Sequence, residues 1–278
     1  MQSPPVLTDR PALIRNRARA ARAPVTFLQD EVLSDVQERL TEVNKSFRSV
    51  AIVTGHPDFW RTAFRDATIM PDDDMLMLNP LAHDLVIHAL CLHWANDPVG
   101  QLVQSRRALQ ADGLFLGYLF GGQTLAELRA VLAQAESEVT GGLSPRVLPM
   151  AEIRDLGGLL QRAGFALPVA DSLSRRVSYR DMAHLISDLR GMGEQNALAG
   201  RLRQPTRRGV FNRARQLYAD SFGDETGRIH ASFDIQCLTG WAPHDSQQKP
   251  LRPGSAAQNL ADALNTREIR LSDGRASG

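Results

Sequence analysis

Residues Ser49–Trp60, "SVAIVTGHPDFW", decide the fold. Val50–Val53 form a short run suited to a buried strand, Gly55 permits a tight turn, and Pro57 stands at a first helical position. Strand, turn and helix in that order form the unit from which doubly wound α/β sheets are built. Upstream, Phe27, Val32, Leu33, Val36, Leu40 and Val43 recur at helical spacing and predict a leading helix with one apolar stripe. Downstream, "ATIMP" offers a second strand, followed by the acids Asp72, Asp73 and Asp74.

The pattern repeats toward the C-terminus. "DLVIHALCLHW", Asp84–Trp94, reads as a central parallel strand. Asn96 or Asp97 then caps a helix that opens with Pro98 and ends by Gly113. "LFLGYLF" gives another strand, and Thr124 with Glu127 has capping-box spacing ahead of the stripe Leu125, Leu128, Val131 and Leu132. Helices are predicted over "MAEIRDLGGLLQRAGF", "RDMAHLISDLRGMG" and "RRGVFNRARQLYADSF", with a strand at "ALPVADSLSRRVSY". "RIHASFDIQCLTGWAP" alternates like a half-buried antiparallel edge strand. The expected architecture is an α/β, doubly wound Rossmann-like sheet, mostly parallel with a C-terminal antiparallel strand. Its divisions are an N-terminal helical arm over 1–48, the α/β domain over 49–242 with helical additions around 180–222, and a weakly ordered tail over 243–278.

Charge is nearly balanced in this 278-residue chain, with 32 Lys+Arg against 31 Asp+Glu, so no global field favours nucleic acid. Two cysteines make no disulfide framework, and no apolar run has the length of a membrane span. These features predict a cytoplasmic protein that is not integral to a membrane. Arg10, Arg15, Arg17, Arg19 and Arg22, with Asp9 as the only acid among them, fit a transit peptide, a basic arm for an acidic partner, or a solvated helix. His88, Cys91 and His93 lie close together, but their spacing matches no standard zinc motif, so no metal is expected.

Five ordered stretches carry a family resemblance: "DLVIHALCLHWANDP", "LQADGLFLGYLFGGQTLAELR", "GGLSPRVLPMAEIRDLGGLLQRAGF", "LRGMGEQNAL" and "TGWAPHDSQQKPLRPGSA". With "RNRARA" and "FLQDEV", they resemble a branch of the class I S-adenosylmethionine (SAM) methyltransferases. That branch holds the malonyl-carrier-protein methyltransferases and, closer, the mitochondrial complex I assembly factors associated with methyltransferase and arginine-hydroxylase activity.

The resemblance implies SAM across the carboxyl ends of the strands, held by a glycine-rich turn and by acids after the first three strands. Here the turn is eroded to "IVTGHPDF", leaving Gly55, with Asp58 as the only nearby acid to replace the missing one. The chain is short by one βα unit at this point. Alignment puts Asp72 and Asp73 after strand three, with Asp72 as the adenine partner, and makes strand two the missing unit. Ala89 and Leu90, within the central strand, complete the implied cofactor set. Losing two charge-assisted contacts of about 1.5–3 kcal/mol each would weaken SAM by two or more orders of magnitude.

The same resemblance places His93 and Trp94 where methyl donor and acceptor meet. His93 would be the base and Trp94 a substrate-shaping wall, or both would pack and cap locally. Phe120, Gly121 and Gly122 after the next strand, and Glu194 and Asn196 in a lid segment, are the implied substrate contacts. Two functional readings result. One is a SAM-dependent methyltransferase-type enzyme acting on a protein, with a complex I subunit as the implied partner; hydroxylation would need an oxidant that the sequence does not identify. The other is a non-catalytic pseudo-methyltransferase that serves as an assembly or binding module.

Overall fold

The run Val50–Thr54 is the first strand, β1, of a six-stranded sheet in the computed structural model, which describes residues 6–247. It is preceded by helices α1 (Arg10–Ala20) and α2 (Phe27–Glu42). After it come α3 (Pro57–Ala63), β2 (Thr68–Met70), β3 (His83–Ala89), a 3-10 turn at Leu92–Trp94, α4 (Pro98–Ala108) and β4 (Leu109–Gly121). The remainder is α5 (Ala126–Thr140), α6 (Ile153–Arg162), β5 (Ala166–Tyr179), α7 (Met182–Gly191), α8 (Arg208–Phe222) and β6 (Ile229–Trp241).

Sheet order is β2-β1-β3-β4-β6-β5, with β1 to β4 parallel and β6 antiparallel to both of its neighbours. Alternation along each strand divides the core into two layers. Ile52, Leu85, Ile87, Leu114 and Leu116 face Leu28, Val32 and Val36 of α2 together with apolar residues of α5, α7 and α8. Ala51, Val86 and Phe115 point the other way, into a cluster with Leu102 of α4 and Leu156 and Leu160 of α6. The architecture is thus the Rossmann-like, mostly parallel α/β sheet expected from the sequence.

Several local expectations change. The central strand stops at Ala89; Leu90 takes φ +45°, and the chain turns into Leu92–Trp94. That reversal brings Cys91 Sγ to 3.2 Å from His88 Nδ1, contacts that a continuous strand would have kept on opposite faces. The capping box does not form, because Thr124 Oγ1 donates to the carbonyls of Gly121 and Asp234, and Glu127 accepts from Ser232 N–H and Oγ–H. Strand β6 is inside the sheet, and β5 is the edge. Finally, β2 pairs directly with β1, so Asp72 follows the neighbour of β1 and not an outer third strand.

Met1–His244 forms one compact unit, within which α1 and α2 belong to the same body as the sheet. Of the second unit, Asp245–Gly278, only residues 245–247 are described. The predicted weakly ordered tail therefore falls almost wholly outside the described residues.

Candidate functional site

Two cavities open at the carboxyl ends of the parallel strands, where open α/β sheets hold ligands. The first, about 310 Å³, lies beyond β1 and β2 and is lined by Arg10, Ile14, Arg17, Thr54, Gly55, Pro57, Arg61, Ile69, Met70, Pro71, Asp72 and Asp73. Helix α1 crosses it. Asp9 caps α1 by accepting from Ala12 N–H, and Pro11 follows in the first turn. Arg10 and Arg17, seven residues apart, share one helical face and reach the same acid. Arg10 donates to both oxygens of Asp72 at 3.2 and 3.3 Å, and Arg17 Nη1 donates to Oδ1.

Asp72 is only 1% exposed, and burial by itself would raise its pKa. The charges of Arg17 and Arg10 and their hydrogen bonds win, holding the carboxyl far below the usual carboxylate range. Gly55 is where this packing is tightest. A Cβ there would come within 2.5 Å of Arg17 Cζ and Nε, so the close approach that a glycine permits is used by a side chain of the same protein. His56 Nε2 donates to Met192 O at 2.9 Å, and Gly193, at φ +77°, lies against Arg17 with its Cβ position 3.0 Å from Cγ. Asp9 N–H and Asn16 Nδ2 add bonds to Ala197 O and Gln195 O, fixing the arm to the segment after α7.

The second cavity, about 230 Å³, lies beyond β3 and β4 and is mainly apolar, with Phe120, Leu125, Leu128, Ile186, Phe211 and Phe233 in its wall. Its polar end is built by His93, Trp94 and Glu194. Phe120 N–H donates to His93 Nδ1 at 3.3 Å, which leaves the proton on Nε2, facing Glu194 Oε2 at 3.1 Å. Trp94 Nε1 donates to the same oxygen at 2.7 Å. Burial opposes the charge on Glu194, but His93, Arg17 and the indole N–H hold its pKa below the ordinary value.

The structure brings His93, Trp94, Phe120, Glu194 and Asn196 to the second cavity and Gly55, Asp72 and Asp73 to the first. Both nitrogens of His93 are engaged, so the expected base has no free lone pair in this arrangement. Asp58 does not replace the missing acid: it is 89% exposed and pairs with Arg61 at 2.8 Å. Asp73 is more than half exposed and pairs with Arg10. Ala89 and Leu90 are buried in the core and line neither cavity. Gly121 and Gly122 serve packing: a Cβ on Gly121 would strike Gln236 and Ala151 O, and one on Gly122 would strike Asp234. Asn196 bonds Pro145 O and Leu198 N, holding the loop. Sequence reasoning missed Arg10 and Arg17, which their seven-residue spacing could have placed together.

These residues do not fit SAM in the first cavity. The one suitably buried acid is taken by two guanidinium groups, and the glycine face is covered by Arg17. Among the described residues no three His, Cys, Asp or Glu side chains group as a metal site.

No family model matches the chain. Among curated proteins, it is similar to "Arginine-hydroxylase NDUFAF5, mitochondrial" of Danio rerio, with 40% identity over 70% of this chain and 60% of the relative. The Homo sapiens protein of the same name is 37% identical over 72% and 58%. "Malonyl-[acyl-carrier protein] O-methyltransferase" of Laribacter hongkongensis is 31% identical over 68% and 61%. The chain thus spans about 60% of the length of the curated relatives it matches. A solved phosphoethanolamine N-methyltransferase 2 of Haemonchus contortus, in complex with S-adenosyl-L-methionine, aligns at TM-score 0.39 and 11% identity, over 74% of this chain and 51% of that one. That score is too low to bear on function. The expectation of a cytoplasmic protein is corrected here, because the arginine-hydroxylase relatives are named as mitochondrial. No helix among the described residues is long and apolar enough to cross a membrane.

Proposed function

This chain belongs to the class I methyltransferase-like family, in the branch of the NDUFAF5 proteins, and from that membership we propose that it is a non-catalytic binding module for a protein partner. The observation that carries the proposal is Arg17, packed over Gly55 and paired with Asp72. In this reading the arm has taken over the cofactor cleft while the second cavity stays open.

The apolar cavity beside Trp94 and Glu194 is then the place for a partner's side chain, with Phe120 and Phe233 as its aromatic wall. By resemblance, the partner is a subunit of respiratory complex I during assembly. Calorimetric titration of the full chain with SAM tests the proposal. No saturable heat is expected up to about 1 mM, a weak limit equivalent to about 4 kcal/mol. Saturable binding below that limit overturns it.

A further inference from the structure

We infer that the cavity beside Trp94 receives an uncharged apolar side chain from a partner segment rich in Asp and Glu, a partner chemistry that rests on the reading of this chain as a binding module. An apolar cavity of about 150 Å³ already accepts a benzene-sized ring, so the space of about 230 Å³ beyond β3 and β4 has room for a phenylalanine or leucine side chain. Phe120, Leu125, Leu128, Ile186 and Phe233 supply apolar wall on which it can pack. The polar groups at the inner end are engaged: His93 bonds Phe120 N–H and Glu194, and Trp94 donates to the same carboxylate. Thr124 and Asn196, also in the wall, are bonded within the chain. An occupant that needs no hydrogen bond inside therefore fits best, as the central anchor of an interface does. Gln195, with no side-chain bond of its own among the described residues, is left for the partner's backbone.

The mouth sets the sign of the flanking charges. Arg190 lines the cavity, is exposed, and makes no side-chain hydrogen bond or ion pair among the described residues. Phe211, 36% exposed, carries the apolar wall out to solvent. Arg207, Arg208 and Arg215 stand three or four residues from Phe211, on its side of α8, and are likewise exposed and unpaired. Arg146 Nη1 donates to Thr206 Oγ1 at 2.9 Å, which ties the start of α8 to the cavity wall. The acids of the packed elements are occupied: Glu136 and Glu138 of α5 pair with Arg146 and Arg213, and Asp188 of α7 faces His184. Glu194, the only acid of the lining, already accepts from two donors. A chain of net charge +1 thus gathers unpaired guanidinium groups around one apolar opening, and an acidic segment is steered there before its anchor seats.

The test reads fluorescence anisotropy of labelled synthetic peptides titrated with the full chain. The probe is a short peptide with one Phe set among Asp and Glu residues. It is compared with peptides in which Ala or Arg replaces the Phe, and with one in which Lys replaces the acids. The acidic Phe peptide should bind saturably with Kd below about 100 µM, Ala in place of the anchor should weaken it about tenfold, and the basic peptide should not saturate. Raising salt from about 50 to about 300 mM should weaken binding about fivefold. Arg190→Glu, at an exposed position, should do the same in a variant whose melting curve is unchanged, whereas Arg48→Glu, before β1 at the opposite end of the sheet, should have no effect. No saturation by about 1 mM, an Ala, Arg or Lys peptide that binds as tightly, or affinity indifferent to Arg190→Glu would each overturn the inference. Tighter binding of the Arg peptide would leave the non-catalytic reading standing, since that reading falls only if SAM saturates in its own titration.

Discussion

The two cavities share one sheet edge but have been finished differently. Beyond β1 and β2 the space is crossed by α1, and charged side chains of the chain itself pair there. Beyond β3 and β4 the wall is mainly apolar, and His93 and Trp94 both bond to Glu194. The same sheet therefore carries one cavity crossed by a helix and one left open. What differs is not the sheet but the side chains delivered to it by a helix outside it.

The largest effect should come from breaking the closed half. Asp72→Ala leaves Arg17 buried without its counter-charge, and a loss of about 3–5 kcal/mol is expected by urea denaturation. A loss under about 1 kcal/mol would show that the pair does not hold the cleft shut.

Acid should act next, through His88 on β3. It is fully buried, donates from Nε2 to Gln101 Oε1 at 2.8 Å, and burial lowers its pKa from 6.5 to about 4. Unfolded chains take up this proton first, so stability is full above pH 6.5 and falls as pH drops toward about 4. The difference is worth about 3 kcal/mol, and His88→Gln should flatten that part of the stability profile. Asp72 has the same sign at lower pH: its contribution is present above its unfolded value of 3.8 and is lost as acid protonates it below that value.

A smaller effect separates close packing from mere proximity. Gly55→Ala puts a methyl group into Arg17 and should cost about 1–3 kcal/mol. Combined with Arg17→Ala the penalty should vanish, giving a coupling of about 1–3 kcal/mol in a double-mutant cycle. Additive losses would mean that the two residues do not meet. Smallest of all is Asp58→Ala, which removes an exposed pair with Arg61 and should change stability by about 0.5 kcal/mol or less.

The sheet was legible because its signals are local. Val50–Val53, Pro57, Pro98 and the apolar stripes name their own strands and helices, and α4 is capped by Asp97, one of the two residues its sequence offers. The ends of elements were less so. Thr124 carries a capping signature but is recruited by Asp234, 110 residues away, and that tertiary bond is invisible to spacing. The site was half legible. His93, Trp94, Phe120 and Glu194 could be grouped through family resemblance, but their hydrogen bonds, which occupy both nitrogens of His93, could not. Arg10 and Arg17 read as part of a transit peptide, a basic arm or a solvated helix, because nothing near them in the chain shows that Asp72 is waiting 55 residues beyond Arg17.

Hydrogen exchange along α1, with and without SAM at about 1 mM, probes the closed cleft most directly. With α1 seated by Arg17 on Gly55 and Asp72, the amides of Arg10–Ala20 that bond within the helix should exchange slowly, and SAM should not alter their rates. Fast exchange like that of a free arm, or a change in α1 protection on adding SAM, would contradict it.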